Sequence, residues 1–197
     1  LGDGNDVIAD KDAGYGKVDR LVFGAGITKD HIALQRNANH LVVLVTHPET
    51  GEVSTITLED AISNSLRRLE EMVFADGTVV SGDWLASFKL VGTAGDDSIV
   101  GTNAGEQINA GDGNDVVDGG LGNNTLDGGA GDDTLKIASA SSSTSGYSNT
   151  FVGGAGHDRL EGASGADTYV YNLGDGNDVI ADKDAGYGKV DRLVFGA

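Results

Sequence analysis

The sequence predicts an all-β fold, a parallel β-roll of solenoid type joined to a small β-rich spacer or capping segment. Three observations lead there. A nine-residue phrase recurs between residues 92 and 170, its eighth position is apolar each time, and glycine is abundant (32 of 197) while proline is nearly absent (1). The copies are GTAGDDSIV (92–100), GTNAGEQIN (101–109), AGDGNDVVD (110–118), GGLGNNTLD (119–127), GGAGDDTLK (128–136), GGAGHDRLE (153–161) and GASGADTYV (162–170). Positions 7 to 9 are too short to hold as a strand alone. They gain stability only by stacking on neighbouring copies, which is the logic of a solenoid. A disordered acidic linker would share the glycine content and the net charge of −18, yet it has no reason to place an apolar residue at every ninth position.

Along the chain, LGDGNDVIADKDAGYGKVDRLVFGA fills residues 1–25 and again 173–197 without a mismatch. Divergent duplication would have left differences. The chain therefore reads as one period plus overlap from a tandem array of near-identical modules; a copy introduced by design is the alternative. Residues 1–25 are then the end of a preceding β-roll, residues 26–90 a β-rich spacer or cap, and residues 91–197 the roll itself. Within the spacer, HLVVLVTH (40–47) and VSTITL (53–58) flank the turn-forming PETG and predict a hairpin. Thr28 is placed to cap one short helical turn leading into IALQR (32–36). RLEEMVF (68–74) reads as a strand turning through ADGT into Val79 and Val80, and SGDWL (81–85) as a cap and brief helix burying Trp84.

Within the phrase, glycine at positions 1, 2 and 4 is expected at positive φ, where a Cβ would clash. Bare backbone lets carbonyl oxygens converge on a point, and the acid at position 6 adds a carboxylate there. Carbonyl and carboxylate oxygens without nitrogen or sulfur are the ligand set of a hard cation such as Ca2+. Position 8 supplies the core through Ile99, Ile108, Val117, Leu126, Leu135, Leu160 and Tyr169, since alternate strand residues face inward. Each buried aliphatic stabilises by roughly 1.5–3 kcal/mol, whereas ordering a residue costs about 1–2 kcal/mol. The metal-free roll is therefore expected to be unfolded or marginal, with metal binding offsetting the deficit by linkage.

The G-G-x-G-x-D-x-U-x phrase, U being apolar, resembles the calcium-binding nonapeptide of RTX (haemolysin-type) repeat proteins. The order GDGNDVI, VDRLVFG, ITKDHIAL and FADGTVV over residues 1–85 resembles the haemolysin-type calcium-binding-related domain that accompanies such repeats in large secreted bacterial proteins. The resemblance implies several bound Ca2+ and a secreted, extracellular or cell-surface location reached by type I secretion. It also implies calcium binding at Asp6 like its copy Asp178. Asp19 and Asp191 fall at a position-6 equivalent in a degenerate repeat, with Arg20 or Arg192 near enough to compete for the charge.

In a β-roll, successive phrases alternate between two parallel sheets, so partners on one edge lie 18 residues apart. Position 6 then sorts unevenly. One edge carries Asp97, Asp115 and Asp133; the other carries Glu106 and Asn124. Residues 144–152 fit a decayed phrase with Asn149 at position 6 and Phe151 at position 8, leaving 137–143 as an inserted polar loop. If the loop keeps the parity, Asp158 and Asp178 extend the first edge, and Asn149 and Asp167 the second. Calcium is expected along Asp97, Asp115, Asp133, Asp158 and Asp178, with sparse occupancy opposite except near Asp167. The turn glycines that would lend carbonyls are Gly95, Gly111, Gly113, Gly129, Gly131, Gly154, Gly156, Gly174 and Gly176.

Other chemistries find no support. A pI near 4.2 argues against nucleic acid, whose phosphates need clustered Lys and Arg. The absence of cysteine excludes disulfides and thiol chemistry. His31, His40, His47 and His157 are scattered, without an H-E-x-x-H pairing, and no G-x-S-x-G elbow is present. Gly24-Ala25-Gly26 lacks the rest of a dinucleotide fingerprint. No signal peptide or transmembrane run is visible, and an internal excerpt would show neither. The expectation is a non-enzymatic structural module of a long secreted adhesin stalk, fibre or matrix layer. Its partners would be adjacent identical modules in tandem or head to tail, with a cell surface or lateral copies as further contacts. The alternative is the secretion and folding domain of an exported toxin or hydrolase.

Overall fold

The structure is a computed structural model that describes residues 5–9, 18–37, 40–59, 61, 69–81, 88–137, 146–183 and 190–196. The expected helix at 81–85 with Trp84, and most of the loop at 137–143, lie outside the described residues. The chain divides into two compact units, Leu1–Lys89 and Leu90–Ala197.

The first unit holds strands β1 (Asp6–Ile8), β2 (Arg20–Val22), β3 (Ile32–Asn37), β4 (His40–Thr46), β5 (Val53–Leu58), β6 (Glu71–Val73) and β7 (Val79–Ser81). Strands β3, β4 and β5 form an antiparallel meander, with Leu34 opposite Val43 and Val43 opposite Ile56. The β4–β5 pair is the hairpin anticipated around Pro48–Gly51. Thr28 opens a 3₁₀ turn, Lys29–His31, closed by a capping box in which the Thr28 N–H donates to His31 Nδ1 at 3.0 Å. Two parallel pairs complete the unit. β1 lies on β5, and β2 lies on β6, which in turn pairs antiparallel with β7. The core is continuous hydrocarbon, with Leu34, Val43 and Met72 fully buried and Phe23 stacked on Phe74 at 4.9 Å between ring centroids.

The second unit contains β8 (Lys89–Val91), β9 (Ser98–Val100), β10 (Gln107–Asp112), β11 (Val116–Asp118), β12 (Thr125–Ala130), β13 (Thr134–Lys136), β14 (Thr150–Ala155), β15 (Arg159–Glu161), β16 (Thr168–Tyr171), β17 (Val179–Ile180) and β18 (Arg192–Phe195). They alternate between two parallel sheets, β8-β10-β12-β14-β16-β18 and β9-β11-β13-β15-β17. The fold is the parallel β-roll that the phrase predicts. Position 8 stacks on position 8 throughout: Ile108, Leu126, Phe151, Tyr169 and Leu193 in one column, Ile99, Val117, Leu135, Leu160 and Ile180 in the other. The inserted loop lengthens the same-edge step from 18 to 25 residues but keeps the parity, so Asn124 still meets Asn149.

Two details differ from the sequence reading. Strands β10, β12 and β14 run six residues, through position 9 and into positions 1 to 3 of the next phrase. Ile137 is no loop residue; it is buried, and its Cδ1 lies where a Cβ on Gly119 would stand.

Candidate metal centre

The roll's corners bring position 6 of every same-edge phrase into a ladder. Asp115, Asp133 and Asp158 each turn Oδ1 toward the previous coil and accept the N–H of Asp97, Asp115 and Asp133, each at 2.8 Å; Asp178 does the same for Asp158 at 3.1 Å. On the Glu106 edge Asn124, Asn149, Asp167 and Asp191 serve the N–H groups of Glu106, Asn124, Asn149 and Asp167 at 2.9–3.0 Å. One oxygen of each acid is thus spent on stacking, and the second oxygen distinguishes the sites.

That second oxygen is buried and without a hydrogen-bond partner at Asp115, Asp133 and Asp158. At Asp133 and Asp158 it lies against position 1 of its own phrase, so a Cβ on Gly128 or Gly153 would fall on Oδ2; in the Asp115 phrase position 1 is Ala110. Asp97 differs, because its Oδ2 takes the N–H and hydroxyl of Thr93 at 2.6 and 2.8 Å. Glu106, one methylene longer, takes the Thr102 hydroxyl on Oε1, and its Oε2 is buried like the Oδ2 atoms of Asp115, Asp133 and Asp158. Asp178 is half-buried at the end of the ladder, and its copy Asp6 is exposed at the start of β1.

The opposite edge fills the same place with nitrogen. Asn124 Nδ2 donates to the carbonyls of Leu121 and Gly122 at 3.2 and 3.3 Å, and Asn149 Nδ2 to that of Tyr147 at 3.4 Å. An amide donor gathers turn carbonyls there. At the far end of this edge, Asp167, Asp182 and Asp191 bring one carboxylate oxygen each within 4.8 Å of one another, and the Tyr169 hydroxyl donates to Asp182 at 2.9 Å.

The turn glycines meet two demands. Gly111, Gly113, Gly129, Gly131, Gly154, Gly156, Gly174 and Gly176 all take positive φ, between 98° and 148°. All but Gly174 also stack so closely that a Cβ would fall on the backbone of the preceding coil. Gly95 takes neither role, having no positive φ and open space around it. Position 1 also departs from expectation: Gly92, Gly101, Gly119, Gly128, Gly153 and Gly162 are not at positive φ and are glycine for want of room. Arg20 Nε pairs with Glu71 at 2.5 Å.

The family model of the RTX calcium-binding nonapeptide repeat matches residues 89–104, 100–135 and 143–180, in 4 copies. These phrases are RTX calcium-binding repeats. Their cofactor is Ca2+. No curated protein matches the chain. The donor chemistry of the RTX turns fits that ion, since buried carboxylate oxygens without a partner are costly unless a cation or proton meets them. In the metal-free roll a proton does so only where the pH lies below the raised carboxyl values. Burial, reinforced by neighbouring acids, pushes Asp133 up to about 7 and Asp158 up to about 6, although each also accepts a backbone N–H that opposes the shift. Burial likewise raises Asp115 and Asp167.

Three features escaped the sequence reading. The Thr93 and Thr102 contacts had a signal, threonine in place of the position-2 glycine. Asp182 stands at position 1 of a following degenerate phrase, where glycine is the rule. Position 5 builds a second ladder, in which Asp96, Asn114 and Asp132 accept the N–H of Asn114, Asp132 and His157 at 2.8–2.9 Å; its signal was the recurrence of Asp and Asn before position 6.

Proposed function

We propose that the chain is a calcium-dependent structural module of a long secreted bacterial surface or matrix protein, an adhesin stalk or fibre that folds outside the cell as Ca2+ binds. The observation that carries this reading is the verbatim repetition of residues 1–25 at 173–197 around an RTX roll. Repeats attached to a toxin or hydrolase need only differ enough to fold, whereas identical copies favour selection for length. Asp115, Asp133 and Asp158 would hold the ions most firmly, with Asp97 and Asp178 at the ladder's ends and Asp167 opposite. Turn carbonyls would complete the shells. The module is non-catalytic in this reading, and its acids serve metal and stacking. Among the described residues, no helix is long and apolar enough to cross a membrane.

Calcium then acts as a compartment signal. The thin core leaves the chain unfolded where calcium is scarce, which suits export, and the ion closes the roll where calcium is plentiful. Circular dichroism of the 197-residue chain should show a large loss of β signal when EDTA is added. An unchanged spectrum would overturn the proposal.

A further inference from the structure

The copied segment appears twice in the structure, and its two copies use opposite edges. In the roll, Val179 and Ala181 donate their N–H groups to Asp158 and Leu160 of the preceding coil at 2.7 and 2.8 Å. In the first unit the neighbouring residue does the pairing, because the carbonyl of Ile8, the counterpart of Ile180, accepts the N–H of Glu59 at 2.9 Å. The second strand repeats the pattern. Arg192 and Gly196 donate to Asp167 and Tyr171 of the roll, both at 2.9 Å. Asp19 and Phe23, counterparts of Asp191 and Phe195, instead face β6: Asp19 accepts the N–H of Glu70 at 3.1 Å, and Phe23 donates to Val73 at 2.8 Å. Successive residues of a strand point their backbone groups to alternate sides. One sequence therefore satisfies the roll with one row of groups and the spacer with the other.

Side-chain burial follows the same division. Phe23 is 5% exposed against Phe74, while its twin Phe195 is 72% exposed. Leu21 is half-buried and Leu193 exposed; Ile8 is half-buried and Ile180 exposed. Conversely, Asp178 and Ala181 are half-buried against the roll, whereas Asp6 and Ala9 are exposed. Ten of the fourteen large hydrophobics exposed among the described residues fall in these two copies, so the exposed surface is concentrated where a partner is missing from one side.

We propose that residues 178–181 and 191–196 form a two-sided junction whose outer edge takes β5 and β6 of a second copy of this chain's spacer, in the register seen for residues 6–8 and 20–22. This rests on the tandem-module reading and names its contact. Ile180 then lies opposite the partner copy's Leu58 and Leu193 opposite its Met72, as Ile8 and Leu21 do. Phe195 enters the place beside its Phe74 that Phe23 occupies.

The test is a chain in which residues 26–91 are joined again after Ala197, compared in calcium with the 197-residue chain by hydrogen exchange resolved to single amides. The Phe195 amide should exchange at least ~100-fold more slowly in the extended chain, while Val179, already bonded to the roll, is protected in both. Phe195→Asp in the extended chain should abolish the new protection and leave Val179 protected. Rapid exchange at Phe195 beside a protected Val179 overturns the junction and leaves the module reading standing. An unprotected Val179 in saturating calcium overturns both.

Discussion

Position 1 is glycine in every full copy of the phrase but that of Ala110, for a reason that backbone dihedrals do not show. At Gly128 the φ is not positive, but a Cβ would collide with Asp133 Oδ2 and with the Gly153 carbonyl, so the smallest side chain would displace that carboxylate oxygen. Gly128→Ala should therefore cost about 2 kcal/mol or more in calcium, measured by denaturant unfolding. Gly95→Ala, which meets open space, should stay within about 0.5 kcal/mol. Equal losses at both positions would show that chain flexibility, and not room for the carboxylate, is what glycine supplies.

At the level of the strand and its corner, the two edges of the roll are made alike and completed differently. Both carry the Oδ1 ladder, but Asp115, Asp133 and Asp158 keep a buried oxygen for an ion, whereas Asn124 and Asn149 close their turns with their own amides. Calorimetric titration of Asp115→Ala should return fewer bound calcium ions, and Asn124→Ala should return the unchanged number while lowering stability by about 1 kcal/mol through the lost hydrogen bonds. Much of this element was legible in advance. A period of nine with one apolar place fixes which residues stack, because any other register would put Leu126 or Leu135 in water. The parity across the insertion was legible only by supposing that residues 144–152 still form a coil. What could not be read depends on three-dimensional proximity: Thr93 reaching over Asp97, Asp182 arriving beside Asp167 from outside its phrase, and the pressure of Asp133 on Gly128.

For the whole roll, the raised carboxyls decide how stability responds to pH. An unfolded carboxylate titrates near pH ~4, while Asp158 and Asp133 in the metal-free fold titrate at about 6 and about 7. Between those values the folded chain holds protons that the unfolded chain has released. Metal-free stability is thus fullest below pH ~4 as far as these groups are concerned, and is lost as pH rises through 6 and 7. In EDTA the residual β signal by circular dichroism should be larger at pH 5 than at pH 8. Calcium displaces those protons, so its affinity should climb over the same window; a flat affinity would remove these acids from the site. The unequal edges have a mechanical consequence as well. One flank is fastened in part by amides that belong to the chain; in the proposed function the other would be fastened by ions that can leave. With them absent at neutral pH, like charges about 4.8 Å apart along the strand stack would repel at Asp115, Asp133 and Asp158, so that corner of the coil stack should open first as calcium falls.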